Sequence, residues 1–397
     1  MHAIGIDVSK GKSTLAIIHD GEVVVKPFTI NHTEEDFEKL LIKIKDVDKV
    51  DIKFVMEATG VYHLPLLTKL LELNFFVTVE NAFLLKKYFD VSLRKVKTDS
   101  ADAVKIARYC SDKWHELKPY SMQDSTYQDL QFLSRQYTQQ ISLKVKAKVQ
   151  LSNLLEVIFP SFNNCFDNEK QYLLMLDILE RYPHPSLVLK KSEKSFLQDI
   201  EKIAKKRGHR IGFKIATNLY MLAKSTISAR PYNESTQLVV TTCVNNLRGL
   251  EKATGDIISH MDKLARTLPE YDTVIDMNGV GPKICSRLIA EVGDVRKYKF
   301  ANSLIAAAGI DTPPYQSGNF TAKSVCISKR GNKYLRKCGY EIMKCLKTSK
   351  PKEDSAVYDY IMKKESEGKP LKVCKIAGLN KFLRIYYARV MEVHLQT

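Results

Sequence analysis

From Ser125 to Phe159 the chain runs without a single Gly or Pro. Tyr127, Leu130, Tyr137, Ile141, Val145 and Val149 recur there at helical spacing, with Lys and Gln between them. A helix over that stretch is roughly 50 Å long, more than the width of a small domain. So long a helix cannot bury itself in one compact core. The sequence predicts that it pairs as a coiled coil, within or between chains.

Ahead of this rod, short apolar runs alternate with helical patterns. Ala3–Val8 and Ser13–His19 read as strands, and Asp20-Gly21 signals a hairpin into Glu22–Ile30. Thr33 opens a helix, with Asp36 as a capping-box variant and Phe37, Leu40, Leu41 and Ile44 on one face. A strand at Ile52–Met56, a helix over Tyr62–Leu73, a strand at Phe75–Val79 and a helix around Ala101–Cys110 follow. The order β-β-β-α-β-α-β-α, three antiparallel strands and then two reached by helical crossovers, is that of a ribonuclease-H-like α/β fold. Behind the rod, residues 161–267 are helical, with a break at Pro183–Pro185 and a basic stretch Lys202–Arg210. The last unit holds a Gly279-Val280-Gly281-Pro282 turn, a Pro-rich loop near Pro313 and a terminal helix from about Lys375. The expected division is 1–120, 121–267 and 268–397.

Charge narrows the partners. Sixty-two Lys and Arg against forty-five Asp and Glu leave a net +17 over 397 residues, which points to a polyanion, nucleic acid before membrane. No apolar run is long enough to span a bilayer, and Met1–Lys10 lacks the pattern of a secretory signal. Eight scattered cysteines form no C-x-x-C pair, so a zinc site and a disulfide framework are both disfavoured. The expectation is a cytoplasmic protein whose metal site uses oxygen ligands.

Four acids could supply such a site. Asp7 ends the first strand and Glu57 the fourth, and in the expected sheet those strands are parallel neighbours. Asp99 and Asp102 are three apart, which on a helix puts both on one face. Converging carboxylates repel unless cations lie among them, and Mg²⁺ prefers this donor set. Two such ions about 4 Å apart would serve phosphodiester chemistry, by activating the attacking oxygen and stabilising the leaving one. Structural readings compete: Asp7 capping a turn, Glu57 paired with a Lys, Asp99 as an N-cap with Asp102 in the first turn.

Gly5-Ile6-Asp7-Val8-Ser9-Lys10, Met56-Glu57-Ala58-Thr59-Gly60 and Lys97-Thr98-Asp99-Ser100-Ala101-Asp102-Ala103 together resemble the DEDD signature of the IS-one-ten family of insertion-sequence transposases. Relatives of that family include Piv-type invertases, and its catalytic domain is similar to the RuvC junction resolvase. The resemblance extends over nearly the whole chain and implies that Asp7, Glu57, Asp99 and Asp102 are catalytic metal ligands. The implied ions are two Mg²⁺ per site, replaceable by Mn²⁺. Asn81-Ala82 stands where the family usually has Asn-Pro.

By chemistry alone, Ser317 in Pro313-Pro314-Tyr315-Gln316-Ser317-Gly318 is a weak nucleophile, with no His or Asp adjoining it as a base. Tyr315 and Tyr334 are its rivals. Gln316-Ser317-Gly318 followed by Ile327-Ser328-Lys329-Arg330-Gly331-Asn332 is similar to the family's C-terminal block, whose Ser is the proposed DNA-attacking nucleophile. Thr312 replaces the family's usual Pro in Gly309-Ile310-Asp311-Thr312. A covalent serine–DNA bond would conserve the energy of the broken phosphodiester, as recombination requires and plain hydrolysis does not. Gly279, Gly281 and Lys283 fit either a helix–hairpin–helix phosphate contact or a plain helix turn. Lys86, Lys87, Arg94, Lys95 and Lys97 before Asp99, and Lys329, Arg330, Lys333 and Arg336 behind Ser317, are candidate DNA-backbone contacts.

The reading is an RuvC-like catalytic domain, a helical coiled-coil insertion and a mainly α-helical transposase domain. The resemblance further implies donor and target DNA, a structured guide RNA encoded by the element, and a dimer or tetramer with a composite site. It also implies a bacterial, nucleoid-associated setting. The alternatives are a metal-dependent junction resolvase or nuclease acting by hydrolysis, and an inactive nucleic-acid-binding scaffold.

Overall fold

The structure is a computed structural model. It describes residues 1–58, 60–89, 98–120, 125–166, 169–210, 212–312, 316–317, 320–321 and 326–396, without the side chains of 83, 169, 316, 317, 320 and 321. The chain divides into two compact units, Met1–Met122 and Gln123–Thr397. No described helix is long and apolar enough to cross a membrane.

The first unit runs β1 (His2–Ser9), β2 (Lys12–His19), β3 (Glu22–Asn31), α1 (Glu34–Lys43), β4 (Ile52–Glu57), α2 (Leu64–Glu72), β5 (Phe76–Glu80), α3 (Ala82–Phe89) and α4 (Asp99–Asp112). Its five-stranded sheet has the order β3-β2-β1-β4-β5. β2 is antiparallel to β1 and β3, whereas β1, β4 and β5 are parallel. Strand alternation sorts the core into two layers. Ile4, Ile6, Phe54, Met56 and Val77 bury one face with Phe37, Leu40, Leu66 and Leu70 from α1 and α2. Ala3, Ala16, Ile18 and Val55 bury the other with Ala103, Ile106, Ala107 and Cys110 from α4.

Local chemistry sets the helix starts. Thr33 caps α1 by accepting from the Asp36 amide, while the Asp36 carboxylate accepts the Asn31 amide at 2.8 Å, a reciprocal box reaching two residues further back. The α3 helix was absent from the expected order. Ala82 is its first residue, a position where Pro and Ala both suit a helix, so the Asn-Ala departure costs the fold nothing visible.

The second unit is helical: α5 (Ser125–Ile158), α6 (Tyr172–Arg181), α7 (Pro185–Leu189), α8 (Glu193–Lys206), α9 (Gly212–Ser225), α10 (Glu234–Ala265), α11 (Tyr271–Ile275), α12 (Pro282–Val292), α13 (Ala301–Ala308), the two-residue strands β6 (Gln316–Ser317) and β7 (Phe320–Thr321), α14 (Lys333–Ser349), α15 (Ala356–Ser366) and α16 (Leu371–Gln396). The rod exists, and its partner lies in the same chain. α5 runs antiparallel to α10, with Lys144 paired to Glu251 midway. At one end Tyr127 and Leu130 join Ile258, Met261 and Ala265 in a core shared with α11–α16. At the other, Leu151, Leu155 and Ile158 join Val240, Val244 and Leu247 in a core shared with α6–α9.

Not every expected seam residue is in the seam. Tyr137 and Ile141 are half-buried, but Val145 and Val149 are 55% and 54% exposed. Each four-residue step advances about 40° beyond a full turn, so two steps from Ile141 carry Val149 roughly 80° off the face.

Candidate catalytic site

The acids sit where strand parity and one glycine put them. Asp7 is two residues beyond Gly5 on β1, and Glu57 two beyond Val55 on β4, so both lie on the face that α4 covers. The parallel register runs to Ile6 opposite Met56, and Asp7 and Glu57 follow next. α4 can lie on β1 because residue 5 has no side chain: a methyl group there would overlap the backbone of Ala103 and Ala107. That close approach brings the helix's first turn, with Asp99 and Asp102, to the end of β1. Thr98, not Asp99, is the N-cap, its hydroxyl accepting from the Ala101 amide at 3.2 Å. Both acids therefore fall inside the turn.

Electrostatics registers the convergence. Burial, and then the charges of Asp99, Asp102 and Glu57, push the Asp7 carboxyl up to about 6. The acids are near enough to couple without closing into a cage. Among the described residues no three His, Cys, Asp or Glu side chains are placed to hold an ion. The Lys105 ammonium meets Asp102 Oδ1 at 2.8 Å. The donor chemistry, carboxylate oxygen throughout, fits a hard divalent cation. The part played by Gly5 was not read from the sequence, although a Gly inside an apolar strand is the usual signal of close backbone approach. Gly5→Ala is expected to destabilise the first unit by about 1–3 kcal/mol, since the obstruction is backbone and cannot rotate away. Thermal melting of the variant measures this; an unchanged melt would show that α4 is not seated by Gly5.

The second motif block lies in the other unit. Ser317 ends β6, paired with Phe320 of β7, and its side chain lies outside the described residues. So do Pro313, Pro314, Tyr315 and Gly318, and likewise Arg94, Lys95 and Lys97 ahead of Asp99. Residues 326–332 form a strap against the end of α13. The Ser328 amide donates to the Asp311 carbonyl at 2.8 Å, and the Asn332 amide to that of Ala307 at 2.6 Å. Lys329, Arg330 and Lys333 are exposed on it. Arg336 is half-buried and donates to the carbonyls of Ala308 and Gly331, both at 2.9 Å, so it braces the strap. Tyr334 lies under the Arg135 guanidinium, 5.5 Å from its ring centroid. Gly279 has φ +84°, and a Cβ there would come within 2.8 Å of Leu346 Cγ; helix packing against α14 suffices to explain it. Gly281 caps α12 with open space beside it, and Lys283 is exposed in the first turn.

Both blocks fall within matched family regions. A transposase family model matches residues 4–160, which hold all four acids. The model of the transposase IS116/IS110/IS902 family matches residues 271–359, which hold Gly279, Ser317 and the strap. The chain belongs to this transposase family. The transposase is also similar to the insertion element IS116 uncharacterized 44.8 kDa protein of Streptomyces clavuligerus, at 22% identity over 369 residues, 92% of this chain and 88% of that one. Family membership gives the transposase its class. The roles of individual residues remain matters of chemistry.

Proposed function

We propose that this insertion-sequence transposase cuts and rejoins DNA through a covalent bond to Ser317, with an RuvC-like acidic centre formed by Asp7, Glu57, Asp99 and Asp102. The observation that carries the reading is the Asp7 carboxyl, held up to about 6 by burial and by three acids drawn from another strand and a helix start. Three acids that disfavour the charge of a fourth, Asp7, at the end of a single sheet weaken the fold, and a hard cation is what would repay the arrangement. Two Mg²⁺ ions, or Mn²⁺, held by these carboxylates would supply positive charge against the phosphodiester as it reacts.

The rest falls to the chain's own groups. The Ser317 oxygen attacks phosphorus, its proton leaves, and the P–O bond to one deoxyribose breaks, freeing a hydroxyl. The serine phosphodiester retains the bond energy, and a hydroxyl of a second strand displaces Ser317 in the reverse step. Lys329, Arg330 and Lys333, with Lys283 at the start of α12 and with Lys95 and Lys97, which precede Asp99 in the sequence, hold DNA phosphates in place without reading bases. A guide RNA encoded by the element would then read sequence by pairing, as the family resemblance suggests and the net +17 allows. Exposed Val145 and Val149, four residues apart on one face of α5, support association between copies, as a dimer or tetramer with coiled-coil character.

The test is a denaturing gel of labelled donor DNA incubated with the protein and Mg²⁺. A labelled protein band supports the reading; cleaved DNA with no such band favours the hydrolytic resolvase. Sequencing the nucleic acid that copurifies tests guidance separately, and recovery of no specific RNA defeats that part alone.

A further inference from the structure

Among the described residues of its own unit, helix α16 has one stripe left uncovered. Val373, Ile376, Ala377, Asn380 and Arg384 follow one another at three- and four-residue spacing and line a cavity of about 730 Å³. The strap, through Ile327 and Lys329, and Tyr360 of α15 complete the wall. The floor is aliphatic, and the charge above it has one sign. Lys329, Lys372, Lys381 and Arg384 line the cavity, with no Asp or Glu among the described residues.

None of these four has a carboxylate partner among the described residues. Lys381 donates to the Ala356 carbonyl at 2.9 Å, and Arg384 Nε to Asn380 Oδ1 at 3.0 Å. The second bond leaves the terminal guanidinium nitrogens and the Asn380 amide NH₂ as donors for a ligand. Lys329 is held at φ +54°, a left-handed conformation that non-glycine residues rarely adopt. Two glycines seat the strap beside it closely: a methyl on Gly309 would press on the Gly331 amide, and one on Gly331 would overlap Ala307 and Gly309. Strain kept by so tight a brace aims a cation, and here it lines the cavity.

The cavity's rim includes Thr312 and Cys326, the two ends of the segment that carries Ser317. Ser317 is five residues past Thr312, so chain length alone keeps it within roughly 17 Å of the rim. A cavity of this size admits one or two nucleotides and excludes a duplex. We propose that it takes an unstacked nucleotide of a single-stranded DNA end. The base lies on the Val373–Ile376–Ala377 floor and accepts from Asn380, and its phosphates meet Lys329, Lys372 and Arg384. Only the choice of DNA strand rests on the Ser317 reading; shape and charge carry the nucleotide.

The test measures binding by the full chain without catalysis. The probe is a labelled single-stranded DNA tetranucleotide with a 5′ phosphate, followed by fluorescence anisotropy. Lys372→Ala combined with Arg384→Ala is expected to weaken binding at least about tenfold and to flatten its salt dependence. Both residues are exposed, so the melting curve stays as in the wild type. Val373→Asp, which puts a carboxylate on the floor, weakens binding at least as much. Ser317→Ala binds like the wild type, so failure of the serine mechanism would leave this affinity intact. Unchanged affinity in the double variant overturns the proposal. So does inorganic phosphate competing as well as the oligonucleotide, which would mark a bare anion site, or an RNA tetranucleotide binding more tightly than DNA.

Discussion

Asp7→Asn is expected to abolish DNA cleavage while making the metal-free protein more stable above pH 6. The two effects share one cause. In the folded chain the Asp7 carboxyl is pushed up to about 6 from an ordinary 3.8, so it keeps its proton where the unfolded chain has lost it. Its contribution to stability is therefore fully present below about pH 3.8 and is lost as pH rises through about 6. Asparagine has the same shape and never ionises. The stability gain of the variant should be near zero at pH 4 and grow to about 1 kcal/mol by pH 8, after solvent screening of a half-exposed group is allowed for. Cleavage should fall by roughly 10³-fold or more, as expected for a lost ligand in a centre worth several kcal/mol of transition-state stabilisation. Melting at pH 4, 6 and 8 beside a cleavage assay checks both. A merely structural Asp7 would lose stability on substitution and leave cleavage largely intact.

Ser317→Ala is expected to remove the covalent protein–DNA band altogether and to lower strand transfer below detection, at least about 10⁴-fold. The alanine lacks the attacking oxygen and changes little else, so binding of the tetranucleotide and the melting curve should stay as in the wild type. Tyr334→Phe should leave the adduct in place, because that ring lies beneath Arg135 in the first turn of α14. An adduct that survives in Ser317→Ala and disappears in Tyr334→Phe would reassign the nucleophile. Continued cleavage without any adduct in either protein would favour hydrolysis.

What the sequence disclosed depended on how local the signal was. The strands of the first unit were legible to within a residue or two, because period-two burial and the Asp20-Gly21 turn are local. Their pairing followed from the crossover rule. Helix α3 was missed: its eight residues, Ala82–Phe89, give too few turns for a period to show. The acids were legible as a set of carboxylates at element ends. Their seating against Gly5, and the Lys105 partner of Asp102, were not, since both are contacts between elements. The rod was plain from the lack of breakers, but its partner α10 begins 76 residues after Ile158 and contains Gly249 and Gly255, which blur its own pattern. Arg336 looked like any other basic residue near a serine loop; only the carbonyls of Ala308 and Gly331 reveal its bracing role. The stripe on α16 is written in the three- and four-residue spacing of Val373, Ile376, Asn380 and Arg384, but which of a helix's stripes lacks cover depends on contacts between elements.

Calorimetric titration of Mg²⁺ into the full chain at pH 6, in two buffers of different ionisation enthalpy, bears most directly on the acidic centre. With Asp7 about half protonated at that pH, saturable binding should release roughly half a proton per site in the wild type and none in Asp7→Asn, which should bind weakly or not at all. Equal heats and equal proton release in the two proteins would mean that these carboxylates do not act together on a cation, and the proposed chemistry would have no centre.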